Sequence, residues 1–180
     1  MYKRISSKLL FSHPRLTVME DQVELPGGEV GDYVWLSGLR GGITVLARDL
    51  EGRLLVEREY SYLPNEPVYQ WVGGGIEAGE TPLAAAAREL TEEAKLAAGK
   101  MTPIGTILLN HRLSAARNHV FLAEELTPCE SLTRDKYEAG LETFWMTEAE
   151  IEALIARGEV IVASMLAVWA LYKSAPRRSV

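Results

Sequence analysis

The chain has 180 residues, of which 47% are hydrophobic, and its 19 basic and 25 acidic side chains give a formal net charge of −6 at pH 7. That length predicts a single domain over residues 1–180 with one sizeable core. The acidic balance argues against a general nucleic-acid surface, which would be basic. The one cysteine, Cys129, rules out an internal disulfide, and no stretch reaches the roughly 18 apolar residues of a membrane span. We therefore expect a soluble, cytoplasmic protein that works without nucleic acid or membrane.

Short apolar runs separated by turn residues fill the first half of the chain, and this pattern predicts strands. The runs cover residues 16–25, 33–39, 43–47 and 54–60. Later strands are expected at residues 104–109, 119–122 and 142–145. The amino-terminal half is therefore rich in strands.

A helix is predicted after the third glycine of the run at residues 73–75. Thr81 can cap it with Pro82 at its first position, and Gly99 is a natural stop. Apolar residues at helical spacing predict its buried face. They are Leu83, Ala87, Leu90, Ala94 and Ala97.

Two more helices are predicted near the carboxyl end. Thr147 and Glu150 form a capping box for a helix that ends at Gly158, and residues 164–173 predict a last apolar helix. Strands, one helix, strands and then helices favour an α+β or α/β sandwich over a doubly wound sheet.

Three glutamates crowd one side of the first helix. At 100° per residue, Glu89, Glu92 and Glu93 occupy an arc of about 100° opposite the predicted buried face. Like charges so close repel, so water must screen them or a cation must collect them. Mg²⁺ favours hard carboxylate oxygens and keeps positions open for substrate phosphates. A bare carbonyl at Gly73 or Gly74 would be able to join such a metal shell, because glycine allows close backbone approach.

The full spacing around these glutamates is G-x5-E-x7-R-E-(apolar)-x-E-E. The matching residues are Gly74, Glu80, Arg88, Glu89, Glu92 and Glu93, with Leu90 in the apolar position. At average residue usage, six such matches arise by chance at a given start with a probability of roughly 10⁻⁷. Residues 74–96 resemble the signature box of the Nudix hydrolase family.

The resemblance implies a Nudix-type α/β/α sandwich with a mixed sheet and a strand-rich amino-terminal extension. It also implies Mg²⁺- or Mn²⁺-dependent hydrolysis of a nucleoside diphosphate linked to another group. Carried over position by position, Glu89, Glu92 and Glu93 match the metal-binding glutamates, and Gly73 matches a residue whose carbonyl often completes the site. Two further residues, Arg88 and Glu80, together with Gly74, match the support of the box.

One position departs from the family box. Lys95 stands where the family has a glycine, before Leu96. Because a glycine there usually ends the helix, we expect this helix to run on to about Ala97 and to stop at Gly99.

The residue that takes the proton from the attacking water is left open. Within the box, Glu92 and Glu93 are the nearest candidates for this catalytic base. Relatives that act on nucleotide sugars often place the base on a later loop, where Glu138 and Glu142 are the candidates. A simply solvated loop is the alternative interpretation of both.

Residues 54–80 and 158–172 resemble the ADP-ribose and nucleoside diphosphate sugar pyrophosphatase branch. In that branch the amino-terminal strands commonly cross to a partner subunit, so the resemblance implies a homodimer with residues 1–40 at its interface. Members of the branch that act on ADP-ribose usually carry a proline-glycine turn after the box. Residues 110–126 contain no proline, which leaves other nucleoside diphosphate sugars open.

Four side chains are candidates for substrate contact. Arg58, Arg112 and Arg117 are each able to meet a phosphate, with a neighbouring acid or solvent as the alternative partner. Tyr62 is able to stack on a base or sugar, or to lie in the core or at a dimer interface.

Two alternatives remain for the function. One is a Nudix-fold module that senses a nucleotide sugar without cleaving it, although such proteins usually lose box glutamates that this chain keeps. The other is a house-cleaning pyrophosphatase for nucleoside triphosphates or dinucleoside polyphosphates, which the extra amino-terminal strands disfavour.

Overall fold

The computed structural model describes residues 1–130 and 140–174, and the chain divides into two compact units. The first unit comprises residues 1–40 and 108–117, and the second comprises residues 41–107 and 118–180. The single domain over residues 1–180 stays a prediction. Among the described residues, no helix is both long and apolar enough to cross a membrane.

The first unit is an antiparallel sheet. Its strands are β1 (Lys3–His13), β2 (Leu16–Glu24) and β3 (Val30–Ser37), in the order β1-β2-β3. Segment 108–117 joins this sheet, because the Tyr33 hydroxyl donates to the Arg112 carbonyl at 2.8 Å and the Leu36 amide donates to the Leu113 carbonyl at 2.7 Å. Strand β1 was not predicted from the sequence. All eleven of its residues are exposed, so it has no buried face for a hydrophobic pattern to mark.

The second unit contains two sheets and three helices. Its elements are β4 (Gly42–Ala47), β5 (Leu54–Ser61), β6 (Glu66–Gln70), β7 (Val72–Gly75), α1 (Pro82–Ala94), β8 (Leu96–Leu108), β9 (Arg117–Pro128), β10 (Glu142–Met146), α2 (Glu148–Ala156) and α3 (Ala163–Ser174). One sheet has the order β7-β4-β9-β8 and is mixed, since β4 pairs antiparallel with β7 and parallel with β9. The other is antiparallel, in the order β10-β5-β6. The predicted α+β class with a mixed sheet is confirmed.

Two apolar clusters form the core of this unit. The first gathers side chains of α2 and α3 against β4, β5 and β9, with Trp71 stacked on Trp169 at 6.2 Å between ring centroids. The Trp71 indole N–H donates to the Met165 carbonyl at 3.1 Å, so its polar atom is satisfied inside the core. The second cluster packs Ala85, Ala86 and Leu90 of α1 against β4, β7 and β9. The helices therefore belong to two separate apolar clusters. One contains α2 and α3, and the other contains α1.

The predicted buried face of α1 is correct at Leu90, which is fully buried, but wrong at Leu83 and Ala87. Leu83 is 50% exposed, and Ala87 is also exposed. The buried residues of the helix are Ala85, Ala86, Glu89, Leu90 and Glu93. The reason is that α1 packs on the glycines of β7, which leave room for two carboxylates where a larger strand residue would require apolar partners.

The predicted end of α1 was also wrong. The helix ends at Ala94, and Lys95 is its C-cap in the left-handed conformation, with φ 57° and ψ 40°. The Lys95 amide donates to the Leu90 and Thr91 carbonyls, and its own carbonyl accepts from the Cys129 amide at 3.0 Å. These hydrogen bonds hold a lysine in the conformation that glycine ordinarily supplies, so β8 begins directly at Leu96.

Replacing Lys95 with glycine is expected to raise the free energy of unfolding by about 0.5–1 kcal/mol, because glycine lacks the Cβ that makes this conformation unfavourable. Denaturant unfolding measures the effect. Lys95→Ala is the matched control, since it removes the charged side chain but keeps Cβ. Equal unfolding midpoints for the glycine and alanine variants would contradict the account.

Candidate functional site

The site is built on the glycines of β7. A Cβ on Gly74 would lie 2.0 Å from Glu89 Oε1 and 2.4 Å from its Cδ, so the Glu89 carboxylate occupies the place where a side chain would be. The Gly73 amide donates to Glu93 Oε2 at 2.9 Å. Both acids lie on the buried side of α1. The strand beneath them has no side chains at positions 73 and 74, so there is room for both carboxylates. This explains why glycine is needed at position 74.

Arg88 joins the acids of the site. Its guanidinium makes a two-pronged pair with Glu80, at 3.0 Å from Nε and 3.1 Å from Nη2. Its Nη1 donates to Glu89 at 2.9 Å and to Glu92 at 3.0 Å, and Nη2 also donates to the Gly75 carbonyl at 3.0 Å. One planar cation therefore ties the loop before α1 to the acidic side of the helix, a geometry that lysine cannot reproduce.

The charges of this cluster shift its titration. The Arg88 hydrogen bonds hold the pKa of the Glu80 carboxyl below its ordinary value, with help from the Glu77 amide. The pKa of the Arg88 guanidinium is raised, chiefly by Glu80 and then by Glu89 and Glu92. Both groups are therefore charged at neutral pH, and Arg88 offsets part of the repulsion among the carboxylates.

Arg88→Gln is expected to lower the free energy of unfolding at pH 7, with the loss shrinking as the pH falls. Because the folded-state pKa of Glu80 is lowered, its pair with Arg88 stabilises the fold above the ordinary carboxyl pKa of about 4.3. That contribution disappears as the pH falls through the lowered value. Denaturant unfolding from pH 7 to pH 3 measures it, and Arg88→Lys is the charge-preserving control. A difference between wild type and Arg88→Gln that does not change with pH would contradict the assignment.

The donor atoms of the cluster fit a hard divalent cation. Glu89, Glu92 and Glu93 present carboxylate oxygens from adjacent turns of α1, and the Cβ-free backbone of β7 lies against Glu89 and Glu93. Oxygen donors of this kind are those that Mg²⁺ and Mn²⁺ prefer. Across residues 1–130 and 140–174, no group of three or more acidic, histidine or cysteine side chains is already gathered as a metal shell; Arg88 holds two of the three glutamates.

The predicted residues outside the box have different surroundings. Arg58 lies 3.4 Å from Glu142 across the β5–β10 pair and 5.9 Å from the centroid of the Tyr69 ring, so in this structure it has a neighbouring acid. Tyr62 is 88% exposed in the turn after β5. Glu138 lies outside the described residues.

The two other arginine candidates are described with the first unit. The Arg112 amide donates to Asn110 Oδ1 at 3.3 Å, and its carbonyl accepts from Tyr33. Its side chain is exposed, as is that of Arg117 at the start of β9. A role for either in binding substrate stays a prediction.

Two polar residues of the second unit are buried, which their sequence context did not predict. Asn118 is 5% exposed and donates from Nδ2 to Thr44 Oγ1 at 2.8 Å. The Glu57 side chain on β5 is fully buried. Neither position has a signal in the sequence, because a lone asparagine or glutamate beside a predicted strand is ordinarily solvated.

Comparison with known proteins identifies a family and two relatives. The family model described as NUDIX domain matches residues 38–167. An ADP-ribose pyrophosphatase of Bacillus subtilis (strain 168) is 28% identical over 158 residues, covering 88% of this chain and 85% of the relative. An ADP-ribose pyrophosphatase of Mycobacterium tuberculosis (strain ATCC 25618 / H37Rv) is 27% identical over 175 residues, covering 94% of this chain and 84% of the relative. 

A solved structure is also similar in fold. It is titled "Crystal structure of ADP compounds hydrolase", superposes with a TM-score of 0.85 at 20% identity, and covers 96% of this chain and 92% of its own. The chain belongs to the Nudix family. The predicted class, a pyrophosphohydrolase acting on phosphoanhydride bonds, is confirmed, as is the resemblance to the ADP-ribose pyrophosphatase branch.

Proposed function

We propose that the protein hydrolyses the pyrophosphate bond of a nucleoside diphosphate sugar, with ADP-ribose as the first candidate, to a nucleoside monophosphate and a sugar phosphate. The observation that carries the proposal is the set of three glutamates of α1, of which Arg88 holds Glu89 and Glu92 while the Gly73 amide of β7 holds Glu93. Two relatives named ADP-ribose pyrophosphatase, each matched over more than four fifths of its length, support the substrate class.

We propose Glu89, Glu92 and Glu93 as metal ligands, together with the Gly73 carbonyl, and Mg²⁺ or Mn²⁺ as the ion. Such an ion, when bound, neutralises phosphate oxygens and lowers the pKa of a coordinated water. The protein fixes the carboxylates for it: the Gly73 amide orients Glu93, and Arg88 orients Glu89 and Glu92. Glu80 and Gly74 support this arrangement without touching the substrate.

The proton of the attacking water requires a base, and Glu92 and Glu93 are the candidates in the box. Glu93 is 4% exposed and accepts from a backbone amide, whereas the Glu92 side chain is 24% exposed. The greater access favours Glu92 for proton transfer. Glu142, 3.4 Å from Arg58, and Glu138 remain the candidates outside the box.

Substrate contacts are proposed for four side chains, Arg58, Arg112, Arg117 and Tyr62. Arginine matches phosphate in charge and in the geometry of its paired donors. The exposed Tyr62 ring offers a stacking surface for a base. To bind a phosphate, Arg58 would have to give up its contact with Glu142. Because this costs free energy, Arg58 is the weakest candidate of the three arginines.

A substrate panel tests the proposal. Purified protein is incubated with Mg²⁺ and ADP-ribose, GDP-mannose, UDP-glucose, a nucleoside triphosphate or a dinucleoside polyphosphate, and a coupled phosphatase reports the phosphomonoester released. Turnover confined to diphosphate sugars and abolished by EDTA is the expected result. Preference for the triphosphate or dinucleoside polyphosphate would favour the house-cleaning alternative. Binding of nucleotide sugars without turnover would favour a sensor.

We also propose a homodimer formed through residues 1–40. The support is the first unit itself, where β1 is exposed along its whole length and carries Ile5, Leu9, Leu10 and Phe11, each at least 44% exposed. An apolar strand of this kind favours association with another chain. Deleting residues 1–25 is expected to convert the dimer to a monomer, which sedimentation velocity measures. A truncated protein that still sediments as a compact dimer would refute this interface.

The proposed compartment is the cytoplasm, which the sequence supports through its single cysteine. Reducing conditions and abundant Mg²⁺ suit a carboxylate-held divalent ion. Fractionation of cells that express the tagged full chain tests this point.

A further inference from the structure

A buried amide lies two strands away from the carboxylates of the candidate site. Asn118 on β9 is 5% exposed, and its Nδ2 donates to Thr44 Oγ1 on β4 at 2.8 Å. Thr44 is itself 8% exposed. Neighbouring strands are about 4.8 Å apart, so β9 is roughly 10 Å from β7, and β4 lies between Asn118 and the site.

One series of contacts connects Asn118 to Glu93. Thr44, which accepts the amide hydrogen bond, is the register partner of Gly73 on β7. The Gly73 amide donates to Glu93 Oε2 at 2.9 Å. The position of Thr44 in β4 therefore determines where the donor for Glu93 lies.

A second series of contacts connects Asn118 to Glu89. The register partner of Asn118 on β4 is Gly42. A Cβ on Gly42 would lie 3.4 Å from Asn118 Oδ1 and 2.9 Å from the Gly74 carbonyl oxygen, so Gly42 lets the amide and the carbonyl approach the same strand closely. Gly74 in turn leaves the space that the Glu89 carboxylate fills. The three strands are thus packed tightly at the level of the site.

We propose that Asn118 is a positioning residue for the metal site, acting through its hydrogen bond to Thr44. This inference rests on the proposed function, because it takes Glu89 and Glu93 as metal ligands. A buried hydrogen bond that loses one partner leaves the other unsatisfied, and the strands shift to relieve it. Since both carboxylates rest on backbone atoms of β7, a small shift of β4 changes the spacing of the two ligands.

The test compares Thr44→Val with Thr44→Ser. Valine keeps the branched shape in the strand but removes the oxygen that accepts from Asn118, whereas serine keeps that oxygen. Mn²⁺ affinity of the full chain is measured by electron paramagnetic resonance, and the free energy of unfolding is measured on the same samples. Asn118→Ala removes the other partner, so the proposal is tested even where one variant folds poorly. Ile151→Val, on the buried side of α2, is the control for a general loss of stability.

We expect Thr44→Val and Asn118→Ala to weaken Mn²⁺ binding about tenfold, the size of effect typical of residues that support metal ligands. Thr44→Ser and Ile151→Val should bind within twofold of wild type. Affinities within twofold for all four variants, with lower stability for some, would assign Asn118 a purely structural role and overturn the inference. Failure of the wild-type protein to bind Mn²⁺ at all would instead refute the proposed function.

Discussion

Glu92→Gln is expected to lower the turnover number by about 10²–10⁴-fold, the range seen when a group that transfers a proton is removed. Glutamine keeps the shape and one acceptor oxygen for Arg88, whose Nη1 lies 3.0 Å from Glu92, but it removes the negative charge that a metal and a proton require. Because Glu89 and Glu93 stand close by on the same helix, the loss of one charge also relieves repulsion. The free energy of unfolding should stay within about 1 kcal/mol of wild type.

Steady-state hydrolysis of ADP-ribose measures the change. Glu77→Gln is the matched control, since Glu77 lies in the same box, is exposed and contacts Glu80 through its backbone amide and carbonyl, which the substitution keeps. The control should keep wild-type turnover. An unchanged rate for Glu92→Gln would remove Glu92 from the metal site and from proton transfer.

Gly74→Ala is expected to abolish most of the activity, with a turnover number at least 10²-fold lower, because the new Cβ would lie 2.0 Å from Glu89 Oε1. The carboxylate has to leave its place, and its contact with Arg88 at 2.9 Å goes with it. Overpacking of this kind also lowers the free energy of unfolding, typically by about 1–3 kcal/mol. Turnover, Mg²⁺ affinity by calorimetry and denaturant unfolding together measure the effect.

Gly75→Ala separates this clash from a general intolerance of alanine in β7. A Cβ on Gly75 meets no heavy atom within 4 Å, so the variant should keep its stability and its Mg²⁺ affinity. Equal losses of Mg²⁺ affinity in the Gly74 and Gly75 variants would show that alanine disturbs β7 in general. The loss would then not be due to displacement of the Glu89 carboxylate.

The box was predictable because its chemistry depends on residue types at fixed spacing along one helix. Thr81, Pro82 and the acidic positions of α1 follow directly from local rules of helix capping and periodicity, and the structure has the cap and the start of the helix where those rules place them. Features that depend only on residues within one helix can be predicted from the sequence of that helix.

The end of α1 and its buried face were not predictable in the same way. Lys95 takes the left-handed conformation because hydrogen bonds hold it at both its amide and its carbonyl, and the bond from Cys129 joins residues 34 positions apart in the sequence. Glu89 and Glu93 are buried, while Leu83 is not, because the partner strand β7 has three consecutive glycines after Val72. Tertiary contacts override local propensity at both places.

The same limit explains Asn118. Its role is defined by Thr44 and Gly42 on another strand, and only the parallel pairing of β4 with β9 brings them together. Composition and periodicity give no register between strands so distant in the chain. Residues of this kind become candidates only when the strand order is known.

Metal-dependent cleavage of a nucleoside diphosphate sugar at the carboxylates of α1 is tested most directly by following the products from ADP-ribose. Wild-type protein with Mg²⁺ is incubated with ADP-ribose, and the nucleotides and sugar phosphates are separated and quantified with and without EDTA. We expect AMP and ribose 5-phosphate in equal amounts, with neither formed in EDTA and about 10²–10⁴-fold slower formation by Glu92→Gln. Cleavage that persists unchanged in EDTA, or in the Glu92 variant, would contradict this expectation.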